Sequence, residues 1–243
     1  MNFSYVASVT SKQAKVIDRK QFYDLLHSPT VREKVQAYRD GDTKAKGKLP
    51  AFLFHATFEG EQRGDQYAHP SGLYMLDFDH LDDAPAKVWE EMQEVMHENM
   101  PDLPSHERLA QLGIVMVHIN PSGKGLRVVA KMKRGHAGFI NISQWQAWLY
   151  SQLTHVGEAL PVDKCVKDFS RLSFVVPHEE FLYLDDSLFT DEAEVVLENP
   201  LYGKASNSEV TKGAPFSVAA ATPVVGAAIA ANEGQREIRL AEV

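Results

Sequence analysis

The sequence predicts an α+β fold in which a four-stranded antiparallel sheet is covered by two helices on one face. Three observations lead to this prediction: β-branched apolar runs, runs with helical apolar spacing, and the order in which the two alternate. From residue 72 onward the order is strand, helix, strand, strand, helix, strand, which is the split βαβ pattern of ferredoxin-like and RRM-like folds. We expect the second face of this sheet to be open and to carry the functional site.

The first half of this pattern is well marked in the sequence. GLYMLDFDHL (residues 72–81) predicts the first strand, and residues 86–100 place their apolar side chains on one helical face. LGIVMVHI (residues 112–119) and LRVVAKM (residues 126–132) are strand-like, and the turn-forming NPSGKG (residues 120–125) lies between them. These last three segments predict a β-hairpin.

The second half completes the core at about residues 72–190. Ser143 and Gln146 match a capping box, and the apolar stripe that follows predicts a helix. RLSFVV (residues 171–176) predicts the last strand, next to the first strand or one removed from it.

Residues 1–71 predict an N-terminal α/β extension. Ser28 is a suitable N-cap before Pro29, so residues 29–40 should be helical, and KLPAFLFHATF (residues 48–58) should form a strand. Residues 204–243 are rich in Ala, Ser, Gly and Thr, which is typical of a linker or tail.

Charge and composition restrict the class of protein. The chain has 243 residues and a net charge of -8, yet residues 1–48 carry ten basic and five acidic side chains, so 10 − 5 = +5. This asymmetry permits a basic strip for a polyanion. The sequence shows no apolar run long enough to span a membrane, and its lone Cys165 indicates a reducing, cytoplasmic setting.

Asp77 and Asp79 interrupt the first predicted strand with a period of two. They therefore point to the same side of the sheet, about 7 Å apart at roughly 3.3 Å per residue. Two such carboxylates suit a shared Mg²⁺ or Mn²⁺ ion. The alternative is that both simply face water. Asp163 and Asp168, just before the last strand, are candidates for a third acidic ligand.

Several residues are candidates for binding phosphate. The turn contributes Ser122, Gly123, Lys124 and Gly125, whose glycines would let backbone N–H groups approach a phosphate closely. Arg127 and Arg171, on the strands that follow, could pair bidentately with phosphate. We therefore predict a nucleotide-binding site that combines these six residues.

Four segments in this order resemble the VirE N-terminal domain family of mobile-element proteins: LPAFLFHATF, SGLYMLDFDHL, INPSGKGLRVV and VDKCVKDFSRLSFVV. The resemblance covers residues 5–190 and extends to the archaeo-eukaryotic primase superfamily, in which an acidic pair on a strand and a later acid bind the catalytic metals. It implies that Asp77 and Asp79 form this pair and that Asp163 is the third acid. The small-x-His motif of the superfamily falls on Gly125-Leu126-Arg127, so Arg127 stands where histidine is expected.

The resemblance implies a primase-like domain at residues 1–203 that performs divalent-metal-dependent nucleotidyl transfer on DNA. Mg²⁺ or Mn²⁺ would be the cofactor, and DNA and nucleoside triphosphates the partners. A helicase or another C-terminal domain or partner would connect through the tail. The alternatives are a catalytically degenerate module that binds nucleic acid or nucleotide, a nucleotide cyclase with a similar acidic pair, and an interaction module with a solvated acidic sheet face.

Overall fold

The computed structural model describes residues 3–163 and 167–204, and these form an α+β fold, as the sequence predicts. Cys165 and the tail beyond Lys204 lie outside the described residues. The α-helices in these ranges are α1 (Arg19–Leu26), α2 (Pro29–Arg39), α3 (Thr43–Gly47), α4 (Pro85–Asn99), α5 (Ser105–Leu112), α6 (Ile142–Leu153) and α7 (Ser187–Thr190). The strands are β1 (Ser4–Val6), β2 (Lys15–Val16), β3 (Ala51–Leu53), β4 (Ala56–Phe58), β5 (Ala68–Pro70), β6 (Leu73–Phe78), β7 (Ile114–Ile119), β8 (Leu126–Lys131), β9 (Ser173–Phe174) and β10 (Phe181–Leu184).

The central sheet has the strand order β10-β7-β8-β6, and every neighbouring pair is antiparallel. β7 and β8 form the predicted hairpin. β6 pairs with β8 along its whole length, from Leu73 opposite Lys131 to Phe78 opposite Leu126. The predicted four-stranded antiparallel sheet is therefore confirmed. In the described ranges no helix is both long and apolar enough to cross a membrane.

One face of the central sheet packs against α4 and α6. Tyr74, Leu76 and Phe78 point to this side because side chains alternate along a strand. They share one core with apolar residues of the two helices, chiefly Val88, Met92, Met96, Trp145, Leu149 and Leu153. This is the predicted helical layer.

The start of α6 differs from the prediction. The side chain of Asn141 accepts a hydrogen bond from the backbone N–H of Gln144, so Asn141 is the N-cap. The predicted capping box of Ser143 and Gln146 is therefore wrong. Gln146 is buried, and its side-chain amide donates to the carbonyl of Met75 at 2.9 Å.

The second face of the sheet is not open along its whole length, contrary to our expectation. Leu73 and Met75 on β6 are as apolar as the residues that face the helices, so both sides of the strand must be buried. The N-terminal elements cover this second face with an apolar cluster that includes Phe3, Phe22, Leu26, Val31, Val35, Phe52 and Phe54. The sheet is thus enclosed between a helical layer and an N-terminal layer.

The N-terminal layer is the predicted α/β extension. The predicted helix over residues 29–40 is α2. The segment predicted as one strand, residues 48–58, forms β3 and β4, which are separated at Phe54 and His55.

The predicted last strand does not join the central sheet. Of residues 171–176, only Ser173 and Phe174 form a strand, β9, and it pairs with β3 in a second sheet of order β2-β1-β3-β9. β10, which the sequence analysis did not predict, lies beside β7 at the far edge of the central sheet. The fourth strand of the sheet is therefore a different segment, on the opposite edge.

Within the part of the chain that the structure describes, no strand pairs with β6 at Met75 on its outer edge, and side chains instead form hydrogen bonds with the backbone there. The backbone N–H of Met75 donates to Nε2 of His55 at 3.1 Å, and the carbonyl of Met75 accepts from Gln146. Because Nε2 accepts, Nδ1 carries the proton and donates to the carbonyl of Asp168 at 2.8 Å. Burial lowers the pKa of His55 to about 4, which keeps the ring neutral. Buried backbone groups need partners, and here side chains provide them.

Candidate functional site

A polar cleft of about 340 Å³ lies where the C-terminal end of β6 emerges from the two layers. Its lining combines carboxylates with cationic side chains. It is lined by Lys46, Arg63, Asp77, Asp79, Asn120, Pro121, Arg127, Asp163, Asp168, Ser170, Arg171, Leu172 and Phe174. The cleft thus brings together all the acidic residues that the sequence analysis selected and both of its arginines.

Asp77 and Arg127 form the innermost part of the cleft. They are register partners across β6 and β8, and their side chains, only 5% and 6% exposed respectively, form an ion pair. Arg127 Nη1 also donates to the hydroxyl of Ser173 at 3.0 Å. Within the described residues, Asp77 Oδ1 and Arg127 Nε have no hydrogen-bond partner. One carboxylate oxygen of Asp77 is thus buried and unsatisfied.

Asp163 lies beside Asp77 because residues 161–163 run antiparallel to the end of β6. The N–H of Asp163 donates to the carbonyl of Asp77 at 2.9 Å, and the N–H of Asp79 donates to the carbonyl of Pro161 at 3.2 Å. Phe78 and Val162, which lie between these two hydrogen bonds, form an isolated antiparallel β-bridge. Paired residues of antiparallel strands point to the same face, so Asp163 shares the face of Asp77 and Asp79.

Asp163 is also paired with an arginine. Its carboxylate forms an ion pair with Arg171, and these two side chains are 26% and 30% exposed respectively. This ion pair resembles that of Asp77 and Arg127, but it lies nearer to the solvent. Of the three carboxylates expected to bind metal, Asp77, Asp79 and Asp163, two are therefore neutralised by neighbouring arginines.

Asp79 is the most open of the three acids, with its side chain 44% exposed. Its Oδ1 accepts a hydrogen bond from Asn120 Nδ2 and another from the backbone N–H of His80, each at 3.1 Å. Asn120 was not among the candidates from the sequence. Its position as the first residue of the turn was the available signal.

Residues 122–125 of the turn support Asn120 and do not themselves line the cleft. The hydroxyl of Ser122 donates to Asn120 Oδ1 at 2.6 Å and accepts from the N–H of Lys124 at 3.2 Å. Gly125 packs so tightly that a Cβ there would lie 2.2 Å from Asn120 Nδ2. Ser122, Gly123, Lys124 and Gly125 are all absent from the lining. Contact of this turn with phosphate stays a prediction.

Lys46 and Arg63 are lining residues that the sequence analysis did not select as site residues. Lys46 Nζ lies 5.3 Å from the ring centroid of Tyr38 and 5.2 Å from that of Phe174. Arg63 Nη1 donates to the carbonyl of Val9 at 2.9 Å. The net positive charge of residues 1–48 was a signal for Lys46, but no local pattern marked Arg63.

The donor chemistry of the cleft suits a hard divalent cation, because carboxylate oxygens are its preferred ligands. The unsatisfied Oδ1 of Asp77 fits such a role. In the described ranges, however, no three His, Cys, Asp or Glu side chains are arranged as they stand to hold a metal ion. Asp168, the other candidate third acid, lines the cleft, and burial followed by the charge of Asp65 raises its pKa. Metal binding would therefore require the ion-paired carboxylates to change partners.

The fold and the cleft define an α+β protein with a mixed-charge site at the end of a central antiparallel sheet. Residues 44–183, more than half of the chain, match the family model described as BT4734-like, N-terminal domain, and the chain belongs to this family. No curated protein and no solved structure matches the chain. The family description names no activity, so the likeness to the VirE N-terminal domain family and to primases stays a prediction.

Proposed function

We propose that the cleft is a primase-polymerase-like site for divalent-metal-dependent nucleotidyl transfer on DNA. The observation that supports this most strongly is the register of residues 161–163, which sets Asp163 beside Asp77 on the face that also carries Asp79. Three acids from two distant parts of the chain thus converge on one cleft. Such convergence is what a site for catalytic cations requires.

The size and charge of the cleft fit this proposal. A volume of about 340 Å³ is at the lower end of the range of small-molecule sites. Asp77, Asp79 and Asp163 would hold Mg²⁺ or Mn²⁺, which would align a 3′-hydroxyl with the α-phosphate and offset the charge that develops there. Arg127 and Arg171 would bind phosphate oxygens, for which guanidinium groups are well suited.

The two ion pairs give the proposal a specific requirement. While Arg127 holds Asp77 and Arg171 holds Asp163, these carboxylates and guanidinium groups neutralise one another. A nucleotide that binds together with a cation would supply replacement partners for both kinds of group. Its phosphates would pair with the arginines, and the cation would pair with the aspartates. Binding of the cation and of the nucleotide should therefore be mutually reinforcing.

The test is incorporation of labelled nucleotides on DNA templates in Mg²⁺ or Mn²⁺ by Asp79→Asn and Asp163→Asn variants. Both residues are partly exposed, so the variants should fold. We expect incorporation to fall on the order of 100-fold or more, because electrostatic stabilisation of the reacting phosphate is lost. Asp102→Asn, an exposed residue that does not line the cleft, is the matched control. Wild-type incorporation by both cleft variants would reject the proposal. A cyclic product from ATP or GTP alone would indicate the cyclase.

A catalytically inactive binding module is the second candidate function. It is favoured by the two arginine-paired carboxylates and by Arg127 at the position where histidine is expected. DNA or nucleotide binding that is unchanged by Mg²⁺ and by Asp79→Asn, without incorporation, would support it. Under either function, we propose a cytoplasmic protein whose tail connects it to a helicase or another C-terminal domain or partner.

A further inference from the structure

We propose that Lys46 and Arg63 form a separate phosphate subsite at the cleft, supplied by the N-terminal extension. The inference rests on the proposed function, because it names the ligand chemistry of one part of the same site. The phosphate would belong to a nucleotide or to the backbone of a nucleic acid strand. The subsite would add positive charge from a different part of the chain than the turn at residues 120–125.

The first argument concerns which cationic groups of the cleft already have carboxylate partners. Of the four cationic side chains in the lining, Arg127 and Arg171 are each ion-paired with an aspartate. For Lys46 and Arg63, no carboxylate within the described residues is in ion-pair contact. The charge of Asp65 acts on Arg63 without an ion-pair contact, so both cationic groups can still bind an anionic ligand.

The second argument concerns how the two side chains are held. Lys46 lies over the rings of Tyr38 and Phe174, so its position is restricted without loss of its charge to a carboxylate. Among the described residues, Arg63 donates only from Nη1, to the carbonyl of Val9, which leaves other guanidinium donors available. Both groups are partly buried. Cations positioned in advance lose less conformational entropy when they bind phosphate.

Arg39 shows the contrast with a structural cation nearby. It pairs with Glu180 at 2.7 Å and donates to the carbonyl of Pro121 at 3.1 Å. Its charge is neutralised, and it supports the backbone at one edge of the cleft. Arg39 is absent from the lining, whereas Lys46 and Arg63 belong to it.

The experiment measures binding of two phosphate probes to the full chain in EDTA, so that no catalytic cation contributes. The probes are tripolyphosphate, which represents a nucleotide tail, and labelled oligothymidylate, which represents a strand. The variants are Lys46→Met, which keeps the apolar stem over the rings, and Arg63→Gln. Lys87→Met on α4 and Arg134→Gln, two exposed positions outside the cleft and outside residues 1–48, are the matched controls. Thermal midpoints verify that all four variants fold.

We expect each cleft variant to weaken binding of at least one probe by roughly tenfold, because a charge-assisted hydrogen bond is lost. If the strand is the ligand, the slope of log K against log salt for oligothymidylate should become shallower by about 0.7 per lost contact. The controls should bind like the wild type. Weaker binding of tripolyphosphate by the cleft variants assigns the subsite to a nucleotide tail. Weaker binding of oligothymidylate assigns it to a nucleic acid strand.

Wild-type binding of both probes by Lys46→Met and Arg63→Gln would overturn the inference. That failure is distinct from failure of the proposed function, because incorporation is measured separately. If both variants weaken phosphate binding but the wild-type chain incorporates no nucleotide, the subsite is supported and the enzymatic proposal is rejected. If the wild-type chain incorporates nucleotide and both variants bind phosphate normally, the enzymatic proposal is kept and the subsite is rejected.

Discussion

Asp77 and Arg127 face each other across two neighbouring strands and form an ion pair that is almost completely removed from solvent. Each group also has one polar atom, Asp77 Oδ1 and Arg127 Nε, without a hydrogen-bond partner in the part of the chain that the structure describes. Burial of two charges is costly, and their mutual attraction offsets that cost only while both are present. The pair is therefore a sensitive point for both stability and function.

We expect Asp77→Ala to lower the free energy of unfolding by about 3–5 kcal/mol, because it leaves the charge of Arg127 buried and unpaired. Urea unfolding followed by circular dichroism measures this change. The double variant Asp77→Leu with Arg127→Met removes both charges and should lose less stability than the single variant. A loss below about 1 kcal/mol for Asp77→Ala would show that water reaches the pair.

Arg171→Gln should change the affinities for cation and nucleotide in opposite directions. Removal of the guanidinium takes away the positive charge that is paired with the Asp163 carboxylate, so Mn²⁺ affinity should rise by roughly fivefold, while nucleotide affinity should fall by a similar factor. Titration of Mn²⁺ by electron paramagnetic resonance and of nucleotide by calorimetry gives both values. Arg32→Gln, which removes the exposed ion pair with Glu179, is the control and should change neither. A loss of both affinities would contradict the idea that Asp163 exchanges Arg171 for a cation when nucleotide binds.

Gly125→Ala should disturb the cleft through Asn120. The new Cβ would lie 2.2 Å from Asn120 Nδ2 and 2.5 Å from the carbonyl oxygen of Phe78, so one of them must move. Because Asn120 holds Asp79, we expect a stability loss of about 1–3 kcal/mol together with weaker cation binding. Gly138→Ala, where nothing lies within 4 Å of the added atom, is the matched control. Thermal unfolding and Mn²⁺ titration of the two variants test this, and equal behaviour would contradict it.

Stability should fall as the pH falls from about 6.5 toward 4. Burial lowers the pKa of His55 to about 4, of His118 to about 3 and of His136 to about 4, so the folded chain keeps these rings neutral. The unfolded chain takes up protons near pH 6.5, and each buried histidine then costs about 1.4 kcal/mol of stability per pH unit. Urea unfolding between these pH values measures the slope.

His118→Phe should reduce this slope by about one histidine equivalent, because its ring already packs against Phe181 with centroids 5.2 Å apart. His106→Gln is the control, since the side chain of His106 is 80% exposed. An unchanged slope in His118→Phe would mean that His118 is protonated in the folded chain. A changed slope in His106→Gln would indicate a different source of the pH dependence.

The sequence predicted those parts of the fold that depend on local periodicity. The hairpin of β7 and β8, the strand β6, and the helices α2, α4 and α6 all follow from apolar spacing and turn chemistry. The same periodicity of two put Asp77 and Asp79 on one face. The cap of α6 was missed because Asn141, two residues before Ser143, competes successfully for the exposed N–H groups.

The pairing of the last strand could not be predicted in this way. Strand pairing depends on which edge is available, and the edge of β6 is already satisfied by His55 and Gln146 at Met75 and by residues 161–163 beyond it. β9 therefore pairs with β3. We expected the second face to be open, although Leu73 and Met75 on that face are apolar. Only the tertiary structure shows that N-terminal segments cover them.

By itself, the sequence determined which side chains can carry chemistry and which of them share a strand face, because these properties depend on residue type and on the repeat of a single element. Only the tertiary structure decided that Arg127 pairs with Asp77, that Arg171 pairs with Asp163, and that Lys46 and Arg63 enter the same cleft. The physical reason is that these contacts join residues far apart in the chain. Their formation depends on how layers pack and on which charges burial forces to pair.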